Sequence, residues 1–200
     1  MIAVVRSELY RGVSIQSSWL ALFGFALLAA LMGWFDKNFW SLFAGIGAFG
    51  LAAIVTAQHY QHRTAILLFL SRPHRWRVLA AQCLVSALYG LVLAAGSGLA
   101  VLIDADAGQY WSTVLVSPVM SIFGTLCVTV VRRPLWLFAG LFGWVLFAEL
   151  LINKGDGGLP FASFMLAAGG NTKALLVLLG WTAAAAVPAA WAISRDLSGD

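Results

Sequence analysis

Two hundred residues suffice for a single domain, and here 62% of them are hydrophobic against 10% charged, with a mean hydropathy of +0.90. That balance excludes an ordinary water-soluble core and describes helices dissolved in lipid. The net charge of +4 calls for no nucleic acid, because a positive-inside loop bias and anionic inner-leaflet lipid account for it.

Met1 to Ser17 opens the chain, with Ile2, Val4, Val5 and Leu9 set among Arg6, Glu8 and Arg11. Two readings are open there, a short helix lying in the inner interface and a frayed cytoplasmic tail. Six stretches then supply the mainly apolar run of about 20 residues that crosses a hydrocarbon core about 30 Å thick. They lie near Ser18 to Phe35, Phe39 to Gln58, Val78 to Ile103, Ser112 to Val131, Pro134 to Asn153 and Lys173 to Ile193. All are apolar all round, without the alternation of a membrane β-strand, so the expected fold class is an all-α integral membrane protein of one six-span domain. The first stretch follows an arginine-bearing segment and ends in Trp34 and Phe35 rather than small residues. A retained span is expected there, not a cleaved signal peptide.

Two connecting segments carry apolar runs too short to cross. The first, His59 to Arg77, holds Ile66 to Leu70 between His62 and Arg63 on one side and Arg72, Pro73, His74, Arg75, Trp76 and Arg77 on the other. Pro73 should end a helix near Ser71. This segment reads either as an amphipathic loop held by lipid phosphates or as a docking surface for a cytoplasmic partner. The second, Lys154 to Thr172, holds Phe161 to Ala168; Pro160 can open a helix and Gly169 and Gly170 can close it, giving a short helix or re-entrant hairpin at the outer face.

Loop charge sets the orientation. Arg6, Arg11, Arg63, Arg72, Arg75, Arg77, Arg132, Arg133 and Arg195 fall on one side of the six spans, and Lys37, Lys154 and Lys173 on the other. The positive-inside rule then places both termini in the cytoplasm and the chain in the cell membrane. Trp19, Trp34, Trp40, Trp76, Trp111, Trp136 and Trp191 fall at span ends, where the amphipathic indole favours the headgroup level. Trp144 and Trp181 stand in mid-span, as packing bulk or as an aromatic wall for an amphiphilic substrate.

The chemistry-bearing residues are few. Neither a phosphate-cradling G-x-x-x-x-G-K-[ST] loop nor a dinucleotide fingerprint occurs, so no nucleotide site, catalytic residue or metal site is expected on this chain. Cys83 and Cys127 read as small buried residues, not a disulfide or a zinc site. Glu149 stands alone as a carboxylate within a span. It is either functional, as intramembrane carboxylates are by default, or a group that reaches the outer interface or pairs with Lys154 or Lys173. Gly45, Gly47 and Gly50, and Gly90, Gly96 and Gly98, permit close helix approach, and Pro118 and Pro188 should kink their spans.

Taken in order, the basic N-terminal segment VRSELYRG, two spans, the loop HYQHRTAILLFLSRPHRWRVLAAQ, a third span, an Arg-Arg-Pro turn, a Leu-Pro re-entrant segment and a terminal SRDL resemble the permease subunit of type-two ABC exporters. Tyr60, Thr64, Pro73 and Arg75 match that family's loop motif, while His59 stands where it usually has an acid, Arg63 where it has glycine, and Gln82 where it has lysine. The resemblance implies an amphipathic elbow at residues 1–17, a coupling helix within 59–77 and an outer re-entrant segment within 154–172. It further implies transport by alternating access, with ATP and Mg bound on two copies of a separate ATPase that press on His59, Tyr60, His62, Arg63, Thr64, Ile66, Leu67, Phe69, Leu70, Arg72 and Arg75. A second permease chain, identical or not, would complete the unit. The route for an amphiphilic antibiotic, peptide or lipid would draw on spans two and five, with Trp144 and Glu149 as candidates. The chain would not itself be an enzyme. The rival from another class is a membrane-embedded sensor or assembly subunit that anchors a cytoplasmic partner without transport; a lipid-modifying enzyme lacks any convergent acid, base or metal cluster.

Overall fold

The computed structural model of the chain describes residues 2–61, 75–103, 107–152 and 156–194. Its helices are α1 (Ile2–Ser14), α2 (Gln16–Phe35), α3 (Lys37–Gln61), α4 (Arg75–Ser97), α5 (Leu99–Ile103), α6 (Ala107–Val131), α7 (Pro134–Gly143) running on as a π-helix (Trp144–Ile152), α8 (Pro160–Ala168) and α9 (Thr172–Ser194). Among the described residues no strand occurs. Five helices, α2, α3, α4, α6 and α9, are long and apolar enough to cross a membrane. The fifth expected stretch departs from this regularity: helix is continuous from Pro134 to Ile152, but its α-helical winding ends at Gly143. Ten α-helical residues rise only about 15 Å, so α7 is no span by itself.

Packing centres on α3, 72% of whose apolar window is buried, against 22% for α2 and for α9. It is flanked by α2, α4, α6 and α8. A single residue, Asp36, turns the chain from α2 into α3: its carboxylate accepts from the Asn38 backbone N–H at 2.6 Å, and its carbonyl accepts the N–H of Trp40. This is the capping that a carboxylate performs at a helix start.

Close approach along α6 comes from hydroxyl residues spaced by four. Thr113, Ser117, Ser121, Thr125 and Thr129 are all buried, and each returns its hydroxyl to the carbonyl four residues back. Such back-bonding spares the stripe any need for water and lets neighbours come near. The Thr125 and Ser86 hydroxyl oxygens also share a hydrogen bond at 2.8 Å, and a side chain at Gly90 would collide with the Ser121 hydroxyl. Gly45 gives its side-chain space to the Phe164 ring, whereas Gly96, expected in the same role, faces open space.

Trp40 corrects an expectation. Read as a headgroup anchor, it is wholly buried, and its indole N–H donates to Ser97 Oγ at 3.1 Å while its ring stacks on Tyr110 at 5.8 Å. Gly33 and Gly98 leave the room it occupies, and the long helix expected from Val78 to Ile103 breaks at Gly98 beneath the ring. The other six end-placed tryptophans, Trp19, Trp34, Trp76, Trp111, Trp136 and Trp191, are exposed.

The amphipathic N-terminal segment is the helix α1, turned with Glu8 and Arg11 inward and Arg6 exposed. Glu8 is buried and pairs with Arg11 at 3.3 Å, and Arg11 donates on to the Val55 carbonyl at 3.2 Å, while Tyr10 and Val13 face outward. Burial holds the Arg11 guanidinium below its ordinary pKa, and the Glu8 carboxylate opposes that shift. At its far end α6 closes on Arg132, a non-glycine residue at φ 58° whose N–H bonds the Val128 carbonyl. The left-handed conformation costs about 1–2 kcal/mol. The Arg132 guanidinium uses the position to donate to the Ala192 carbonyl, 2.8 Å away in the last turn of α9.

Truncating Trp40 to alanine should destabilise the fold by about 3–5 kcal/mol, the range for emptying a buried aromatic site. Trp34→Ala, at an exposed ring, should cost about 0.5 kcal/mol or less. Reversible unfolding in detergent micelles, followed by circular dichroism, checks the difference.

Candidate functional site

The short helix α8 positions the site. It runs antiparallel to the start of α9, joined by a turn in which the Gly170 N–H bonds the Ala167 carbonyl and the Asn171 N–H bonds the Leu166 carbonyl. That pair of bonds, with Gly170 at φ 92°, is the Schellman closure expected of the two glycines. Asn171 Oδ1 then caps α9, accepting from the Lys173 and Ala174 N–H groups.

From this turn α8 leads back into the bundle. Its Phe161, Ala162, Ser163, Phe164, Ala167 and Ala168 are buried, packed among α3, α6 and α9. The loop before it reaches Trp181, whose indole donates to the Gly158 carbonyl at 2.9 Å. Trp181 lies nine residues into α9, about 13 Å along its axis. The start of α8 is therefore an inward-pointing end, and its backbone donors need partners inside the protein.

Glu149 supplies them. Leu159, at the N-cap, makes no side-chain cap, and Pro160 has no N–H to satisfy. The Glu149 carboxylate accepts from the Phe161 N–H at 2.9 Å and the Ala162 N–H at 2.6 Å, and the Ser163 N–H bonds the Leu159 carbonyl. Every donor of the first turn is thus accounted for, with a carboxylate at the positive end of the helix dipole. Glu149 thus caps a helix, a contact that neither of its two readings named.

The π-helical winding makes a further contact. Trp144 Nε1 donates to Glu149 Oε1 at 3.2 Å, across five residues. At about 100° per residue an α-helix would set those positions roughly 140° apart. A π-helix closes its bonds between i and i+5, so both side chains share one face.

An apolar groove of about 430 Å³ lies beside this assembly. Phe123, Cys127 and Val131 of α6 form one wall; Trp136, Leu137, Gly140 and Leu141 of α7, with Trp144, form another; Phe161 of α8 and Trp181, Ala184 and Ala185 of α9 complete it. The volume falls in the range of about 300–1,000 Å³ typical of ligand sites. The Trp144 and Trp181 rings meet edge to face, 6.4 Å apart at 76°.

Of the expected site residues, Trp144 and Glu149 are therefore together. His59 and Tyr60 stand in the last turns of α3, and Arg75 is the first residue of α4. His62, Arg63, Thr64, Ile66, Leu67, Phe69, Leu70 and Arg72 lie outside the described residues. Sequence reasoning missed the Phe161 and Ala162 backbone groups and the hydroxyl stripe of α6. A helix beginning Leu-Pro without Ser, Thr, Asp or Asn at its N-cap was the available sign that a cap must come from elsewhere. Comparison with protein-family models found no match, and comparison with curated proteins found none.

Glu149→Ala would strand two buried N–H groups, at about 1–3 kcal/mol each. Glu149→Gln keeps one acceptor oxygen and should lose clearly less. Unfolding midpoints of the three proteins in one detergent measure the order.

Proposed function

We propose that this chain is the permease subunit of a type-two ABC exporter, carrying an amphiphilic substrate across the cell membrane by alternating access. The working unit would be two permease chains and two copies of a separate ATPase that binds ATP and Mg. The observation that carries this reading is the order of elements: a charged N-terminal helix, two apolar helices, a basic cytoplasmic segment, further apolar helices, and a short inward-pointing helix before the last one. In the proposed topology the α7 and π-helical stretch completes six spans, both termini face the cytoplasm, α1 is the elbow, and α8 is the re-entrant segment.

The arginine partition supports that orientation. The exposed Tyr10 and Val13 of α1 suit an elbow that rests an apolar face on lipid. Within this reading Trp144, 42% exposed, presents its ring toward the substrate route, and Glu149, 3% exposed, acts through it as a positioning residue. Force from the ATPase would enter through residues 59–77. An ATPase shifts a permease between two states only by contacting them differently, and this segment joins two long helices directly.

Replacing Ile66 to Leu70 with a Gly/Ser stretch should leave membrane insertion intact, abolish substrate-stimulated ATP hydrolysis by the complex and weaken co-purification of the ATPase. A variant that inserts normally and keeps full stimulated turnover would remove the coupling role and favour a loop held only by lipid.

A further inference from the structure

We propose that the groove between α6, α7 and α9 holds one acyl chain of an anionic phospholipid whose headgroup rests at Arg133. The inference rests on the membrane reading above and is independent of any ATPase.

Its shape comes first. Phe123, Cys127 and Val131 repeat every four residues on one face of α6, and Trp136, Gly140 and Trp144 repeat likewise on the facing wall. Each row rises through eight residue steps, about 12 Å. The groove is therefore a slot running along the helix axes, the direction in which a lipid chain lies, with room at Gly140, where an added side chain would meet nothing within 4 Å.

Its polarity comes second. Both indole N–H groups at the deep end are already engaged, Trp144 with Glu149 and Trp181 with the Gly158 carbonyl. Among the described residues no charged side chain lines the groove. Water placed there would lack the two to four polar partners that hold a buried water. Apart from the Cys127 thiol, a ligand meets methyl, methylene and aromatic surface, which selects hydrocarbon.

Charge then selects the headgroup. Val131 and Trp136, at the other end of the two rows, bracket the Arg132–Arg133 turn. Arg132 is engaged with the Ala192 carbonyl, and Arg133 is exposed. An exposed guanidinium at the mouth of an apolar slot, beside an exposed Trp136, complements a phosphate at headgroup level with its chain in the slot. In the proposed orientation this mouth opens on the inner leaflet, where anionic lipid concentrates.

The test is native mass spectrometry of the full chain in detergent, equilibrated with phosphatidylglycerol or with phosphatidylcholine of the same acyl composition. The expected result is one retained phosphatidylglycerol per chain, at about fivefold higher occupancy than phosphatidylcholine. Gly140→Phe should fill the slot and abolish the adduct. Gly143→Phe, at a glycine that also faces open space but does not line the groove, should keep it. Arg133→Ala should bring the two lipids to equal occupancy. Full retention by Gly140→Phe would overturn the slot and leave only a surface ion pair. Equal binding of both lipids by the unaltered chain would overturn the headgroup assignment. A dimer that Gly140→Phe converts to monomer would give the groove to a second copy of the chain instead of a lipid. A chain extracted from membranes without detergent would refute the membrane reading itself, an outcome distinct from all of these.

Discussion

The inward-pointing start of α8 sets the constraint from which the rest of this half of the molecule follows. A helix N-terminus presents backbone donors that cost several kcal/mol each when left bare in an apolar medium. Solvent cannot be assumed at a point about 13 Å along α9. One carboxylate meets the need, and to bring it there the preceding helix departs from α-helical winding. The π-helical run turns Glu149 toward Phe161 and Ala162 and sets Trp144 on the same face. The aromatic end of the groove is thus a consequence of how a helix end is satisfied.

The rest of the bundle supplies rigidity by a different device. Lipid tails are as apolar as leucine, so helices in a bilayer gain little from hydrophobic burial against one another and rely on close packing. The hydroxyl stripe of α6, the Gly90 contact with Ser121 and the Gly45 contact with Phe164 are of this kind. The small residues of α3 let it be enclosed by four neighbours, while α2 and α9 keep large apolar faces outward.

Much of this architecture was legible in the sequence because it follows from local composition. Apolar length located five helices, three of them within three residues at each end, and Pro160 with Gly169 and Gly170 located α8 and both of its ends. What was hidden depends on contacts between distant segments. Trp40 carries the same sequence sign as Trp34, but the room left by Gly33 and Gly98, 65 positions apart, and the contacts with Ser97 and Tyr110 turn its ring inward. The pairing of Trp144 with Glu149 was invisible because α-helical geometry separates positions five apart. Glu149 read either as a functional carboxylate or as one reaching the outer interface or a lysine, since a backbone cap leaves no mark on the capping residue. Of the four residues that match the exporter loop motif, Thr64 and Pro73 lie outside the described structure, while Tyr60 stands near the end of α3 and Arg75 at the start of α4.

Fold and proposal meet at α8, the helix held inside the bundle by Glu149 before the last long helix. Hydrogen–deuterium exchange of the full chain in lipid nanodiscs, resolved over residues 160–168, tests that placement most directly. The account predicts amides as protected as those in the middle of α3, losing that protection when Glu149 is replaced by alanine. Rapid exchange at Phe161 and Ala162 in the unaltered protein would contradict it.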